Sequence, residues 1–128
     1  MRRRNERGAS TVELALYMPL LLFVIFLAVQ FALVYLGNQA ASAVARETAR
    51  VARTSDDDAK AHAAGERYAA NIGGGILEGY HIDIKRTGPD EVTVTVTGHA
   101  QEISPFGVPE VSQTVVGPIE HFVGEGAE

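Results

Sequence analysis

Residues 14–36 form an apolar run of 23 residues in which Gln30 is the only strongly polar side chain. A bilayer core of about 30 Å needs about 20 apolar residues in a helix, so this run is long enough to span with some tilt. The expectation is one membrane-spanning helix that delivers a small polar domain to one side of a membrane.

The flanks set the orientation. Arg2, Arg3, Arg4 and Arg7 precede the run, and the next cation after it is Arg46. Short segments rich in Lys and Arg stay cytoplasmic. Residues 37–128 carry 7 Lys and Arg against 14 Asp and Glu, a balance of −7. The expected arrangement is a basic cytoplasmic leader at 1–8, a transmembrane helix at 9–36 and an extracytoplasmic domain at 37–128. A cleavable signal peptide is the competing reading, with Ala41-Ser42-Ala43 as its small-residue site. Signal h-regions run about 7–15 residues, shorter than this one. A twin-arginine signal would need apolar residues after the Arg pair, where this chain has Asn5-Glu6.

Glu13 lies directly against the apolar run. Carboxylates near the bilayer interior are costly and are functional suspects by default. A structural explanation competes: Ser10-Thr11-Val12-Glu13 fits a capping box, with Ser10 as N-cap and Glu13 at N3, where the helix dipole also favours negative charge.

Arg7-Gly8-Ala9-Ser10-Thr11-Val12-Glu13-Leu14-Ala15-Leu16, with Pro19 inside the apolar run and the Ala- and Arg-rich stretch 40–53, resembles the TadE-like pseudopilins and minor pilins of bacterial Flp/Tad (tight adherence) type IV pilus systems. The resemblance covers about the first 55 residues. It implies cleavage between Gly8 and Ala9 by a prepilin peptidase, which makes Glu13 the fifth residue of the mature chain. It also implies that Glu13 pairs with the N-terminal amine of a neighbouring subunit, as recognition element and assembly register. One departure is Glu13-Leu14, where some processed members carry Glu-Tyr. The partners so implied are the membrane, the prepilin peptidase, other pilin-like subunits and pilus assembly membrane proteins.

Further helix-packing candidates come from the residues themselves. Pro19 removes a helical hydrogen bond; it is either an incidental kink or a bend that positions the helix. Gln30 can bond to another helix or to its own backbone. Gly37, Ala41, Ala45 and Ala49 recur every four residues, and such a small-residue stripe lets elements approach closely. The stripe suits packing on the chain's own domain or on a neighbouring subunit. Arg46, Arg50 and Arg53 form a charged face beside it, with Glu47 placed to pair with Arg50. The first helix should therefore continue to about residue 53, giving a rod of about 65 Å from Ala9.

Ser55 is a plausible N-cap for a second helix over about 56–71, with Asp56, Asp57 and Asp58 in its first turn. Three adjacent Asp lack the loop glycines and spacing of a calcium site. Gly73-Gly74-Gly75 reads as a linker and lacks the Lys-Ser/Thr of a phosphate loop. Strands are expected at about 80–86, 92–99 and 111–116. Tyr80, Ile82 and Ile84 alternate with polar residues, and so do Val92, Val94 and Val96, across the turn chemistry of Thr87-Gly88-Pro89-Asp90-Glu91. The loop 105–109 follows, and Pro118 marks an edge or a bulge. Residues 119–122 are expected to finish the packing and 123–128 to fray. The fold class expected is thus α+β: a long N-terminal helix, a short second helix and a small three-stranded antiparallel sheet lying on helix.

Composition closes off several functions. The net charge of −5 argues against nucleic-acid binding through a basic face. The chain has no cysteine, so its outer domain must hold by packing alone. Leu, Ile, Val and Phe make up about a fifth of residues 37–128, which implies a thin core. His62, His81, His99 and His121 have no helical metal spacing, and no Ser lies in a nucleophile elbow. The reading calls for no cofactor, no metal, no small-molecule substrate and no catalysis. It expects a single-pass protein of the bacterial cytoplasmic membrane, acting by assembly; an unprocessed anchor presenting a binding domain to the envelope is the alternative.

Overall fold

A computed structural model describes residues 2–72, 75–103 and 105–119, with side chains from Ser10 onward. Helix α1 (Arg2–Ser55) is followed by α2 (Asp58–Ile72), β1 (Leu77–Arg86), β2 (Glu91–Ala100) and β3 (Glu110–Pro118). The three strands form one antiparallel sheet in the order β1-β2-β3. The α+β class, the long first helix and the hairpin-built sheet are all as expected.

α1 contains 54 residues and rises about 80 Å. It starts at Arg2, so Ser10 lies inside the helix and cannot be its N-cap. The capping-box explanation of Glu13 is therefore corrected: the helix has already begun two turns earlier. Pro19 sits inside α1 without ending it. Residues 121–122 and the expected frayed end at 123–128 lie outside the described residues, as do Glu120, Gly73 and Gly74.

The junction between the helices also differs from expectation. Ser55 belongs to the last turn of α1, where its hydroxyl donates to Val51 O at 2.6 Å. Asp56 takes a left-handed backbone (φ 51°) that reverses the chain. Asp57 is the cap: its Oδ1 accepts from Lys60 N at 3.1 Å and its carbonyl from Ala61 N at 3.0 Å. α2 consequently starts at Asp58, two residues later than read from the sequence.

The strands are longer than expected because pairing continues past the alternating patterns. Ile82 faces Val96 and Ile84 faces Val94 across β1 and β2, while Val94 faces Val115 across β2 and β3. A register shift between Glu78 and His81 coincides with Gly79 at φ 56°, a backbone that glycine adopts without penalty. Pro118 ends the edge strand β3, where its missing N–H breaks no central ladder.

Helix α1 beyond Gly37 covers the sheet. Ala41, Val44, Ala45, Ala49 and Ala52 pack against Val92, Val94, Val96, Ala100 and Val111, joined by Ile82 and by Ala61 of α2. The core is built almost wholly of Ala and Val, so helix and sheet must come close together. Gly37 permits this at one end: a Cβ there would stand 3.0 Å from the Ala100 Cβ. Gly65 permits it between the helices, where an added Cβ would collide with Thr48 Oγ1. Thr48 is itself fully buried and satisfied, donating to Val44 O at 2.8 Å. Ile119 packs at the core's edge and its N–H donates to Asp90 O at 2.8 Å.

Candidate functional site: the exposed half of the first helix

Every side chain from Ser10 to Val29 is exposed, although most are Leu, Val, Ile, Phe or Met. The sheet and α2 sit wholly on the other half of α1. A soluble chain would not leave an apolar helix surface of this length open to water, and it is the one helix among the described residues long and apolar enough to cross a membrane. Its backbone groups pair along the helix, as a lipid environment requires, except at Pro19, which has no N–H to donate to the carbonyl one turn earlier.

Glu13 stands exposed near the start of this surface. Among the described residues it forms no ion pair or hydrogen bond. With the cap removed as an explanation, nothing described in this chain offsets the cost of a carboxylate beside apolar surroundings. Gly8 and Ala9, and Arg2, Arg3, Arg4 and Arg7, lie on helical backbone, with side chains outside the described residues. The helical backbone runs through Gly8 and Ala9 without interruption.

Gln30 marks where the exposed half ends. It is 9% exposed, and its amide grips the chain just after β2. Nε2 donates to Gln101 O at 3.3 Å and Oε1 accepts from Ile103 N at 3.1 Å. Neither sequence alternative, a second helix or its own helix backbone, describes this. The residues it holds are 71 and 73 positions away, so no local pattern could have pointed to them. About two turns above, Asn38 Oδ1 accepts from Gln113 Nε2 at 3.0 Å and ties α1 to β3. From Ser10 onward, Gln30 is thus the first buried side chain of α1, inside the apolar run and below its end at Leu36.

The stripe Gly37, Ala41, Ala45 and Ala49 faces this chain's own sheet and is buried there. Of the two uses open to it, the structure shows the intramolecular one. Glu13 and Pro19 remain far along the rod from this stripe, so the candidate residues divide into an exposed lower group and a buried upper one.

Several charged groups pair within the domain. Arg50 donates to Glu47 at 3.0 and 2.7 Å, and that hydrogen-bonded guanidinium holds the Glu47 carboxyl below the usual carboxylate range. Arg46 donates to Ser42 Oγ. The run of aspartates, which has no calcium-loop pattern, serves a partner that sequence reasoning missed. Arg86 at the end of β1 reaches Asp58 Oδ1 at 2.7 Å and Asp56 Oδ1 at 2.8 Å, clamping the helix junction to the sheet. His81 and His99 are exposed on the strands, and among the described residues no three His, Asp or Glu cluster as metal ligands.

Residues 8–50 of the chain match the family model described as TadE-like protein. No curated protein and no solved structure matches the chain. The matched segment covers Glu13, the exposed apolar half and the small-residue stripe, and stops before α2 and the sheet.

Proposed function

Because residues 8–50 of this chain are TadE-like, we propose that it is a non-enzymatic, pilin-like membrane component of a bacterial Flp/Tad pilus assembly or secretion apparatus. The observation that carries this reading is the exposed apolar half of α1 with Glu13 at its entrance, inside the matched segment. In this reading α1 crosses the cytoplasmic membrane once. The arginines at positions 2, 3, 4 and 7 stay inside and the α2-sheet domain stands outside.

A prepilin peptidase cuts after Gly8 and frees the Ala9 amine. The Glu13 carboxylate then pairs with the amine of a neighbouring subunit, which offsets the cost of placing it in apolar surroundings. The exposed half of α1 packs against other pilin-like subunits and membrane assembly proteins. The protein's work is lateral packing and register, with no substrate turned over.

N-terminal sequencing of the protein purified from its membrane tests the processing. A chain beginning at Ala9 supports it, and an intact Met1 or Arg2 rejects it. Glu13→Val tests the register: the variant is expected to fractionate with membranes as before while pilus assembly falls. Normal assembly by Glu13→Val overturns the pairing. The uninterrupted helix across Gly8 and Ala9 favours a second reading. A peptidase needs its scissile segment unwound, so an unprocessed anchor presenting its domain to an envelope partner is the alternative that the N-terminal sequence decides.

A further inference from the structure

The loop between β2 and β3 comes back down along α1. After Gln101 and Ile103 are gripped by Gln30, Ile103, Pro105 and Phe106 lie beside Phe23, Phe26 and Leu27, enclosing a cleft of about 290 Å³. Among the described residues, no polar or charged side chain lines it. Phe106 is 80% exposed at its rim. A loop at the edge of a polar domain has no reason to present such a surface to water, and this surface runs continuously into the exposed apolar half of α1.

Depth points to the occupant. With Ala9, the start of the processed chain in the proposed function, set at the inner boundary, the rise to Val29 is about 30 Å, the thickness of a bilayer core, and Gln30 stands at the outer boundary. Gln101 and the exposed Glu102 sit at its level and suit headgroups better than acyl chains. Tyr35, 63% exposed and about 8 Å higher along α1, falls in the interfacial zone that favours tyrosine. From Gln30 down to Phe23 is about 10 Å, so Ile103, Pro105 and Phe106 reach below the boundary by the depth typical of interfacial anchors, about 5–10 Å.

Non-helical backbone is tolerated at that depth only if its polar groups are met by protein. Gln30 does this for Gln101 O and Ile103 N at the point of entry.

We propose that the Ile103–Pro105–Phe106 finger inserts into the outer leaflet beside α1, with lipid acyl chains filling the cleft, and that Gln30 meets the Gln101 carbonyl and the Ile103 N–H at the membrane boundary. The finger and α1 together form a two-point anchor. It fixes the height and tilt of the outer domain on the membrane, which a single helix leaves free.

The proposal rests on α1 spanning the membrane, and its test separates the two. The chain has no cysteine, so single spin labels are attached through Leu20→Cys, Lys85→Cys and Phe106→Cys in the full-length protein. The labelled proteins are placed in phosphatidylcholine–phosphatidylglycerol nanodiscs at one copy per disc. Phe106 is exposed, so its replacement does not threaten the core. Collision with oxygen, which concentrates in lipid, is compared with collision with a water-soluble nickel chelate. The expected result is a severalfold higher oxygen-to-nickel accessibility ratio at Phe106→Cys than at Lys85→Cys, approaching that at Leu20→Cys.

A water-like ratio at Phe106→Cys with a lipid-like ratio at Leu20→Cys overturns the finger and leaves the span standing. A water-like ratio at Leu20→Cys overturns both. If Phe106→Cys is water-like in single-copy discs and becomes shielded from both agents, with spin–spin broadening, when two copies share a disc, then a second copy occupies the cleft and the lipid assignment fails.

Discussion

At Gln30 a polar side chain inside an apolar helix is reconciled with its surroundings by the chain's own fold. Its amide satisfies one carbonyl and one N–H of the β2–β3 loop. Gln30→Leu leaves both groups without that partner, and an unmet buried backbone group costs about 1–3 kcal/mol. Hydrogen exchange is expected to show faster exchange in the segment after β2, with β2 itself unchanged. Unchanged exchange at Ile103 would show that the loop holds without the amide.

Gly65 gives a second residue-scale test, because two principles disagree there. Helix propensity alone says that Gly65→Ala gains up to about 1 kcal/mol. The collision with Thr48 Oγ1 and the approach to Ile82 Cδ1 at 2.9 Å say that it loses about 1–3 kcal/mol through overpacking. Packing should win, and thermal unfolding should show a lowered midpoint. The loss should shrink in a Thr48→Ala background, because the colliding atom is gone.

At the scale of elements, the helix–helix junction was only half legible. The acidic run announced a helix start, but which aspartate caps it depended on where α1 stops. Ser55 was claimed by the last turn of α1, so the reversal fell to Asp56 and the cap to Asp57. Asp57→Ala should destabilise the domain by about 1 kcal/mol, read as a fall in the denaturant midpoint. An equal fall in Ser55→Ala and none in Asp57→Ala would return the cap to Ser55. The valine alternation of β2 was read correctly because a period of two has one physical meaning, a half-buried strand. The strand ends were not legible, since they depend on the partner strands' length.

For the whole molecule, the first helix serves two unlike environments. Among the described residues every buried hydrophobic residue of the core lies at Ala40 or later, so the core itself draws nothing from residues before Gln30, and only the β2–β3 loop reaches down beside Phe23, Phe26 and Leu27. A chain beginning at Gln30 is expected to be water-soluble, with the circular dichroism of a mixed helix–sheet protein and a cooperative unfolding transition. The full-length chain should stay with membranes through alkaline carbonate extraction. A truncated chain that is unfolded would show that the apolar half contributes to the domain's stability.

The sequence alone determined the rod, the apolar run within it, the hairpin and the α+β class. Each follows from composition or periodicity along a few neighbouring residues, and local patterns suffice for local structure. The TadE-like resemblance was also readable there, because it resides in consecutive residues around Gly8 and Glu13. Tertiary structure decided what each helix face is for. It assigned the Gly37–Ala49 stripe to the chain's own sheet, Gln30 to a loop 71 residues away and the aspartates to Arg86. Such pairings depend on which distant segment arrives opposite, and that is fixed only when helix and sheet close on one another.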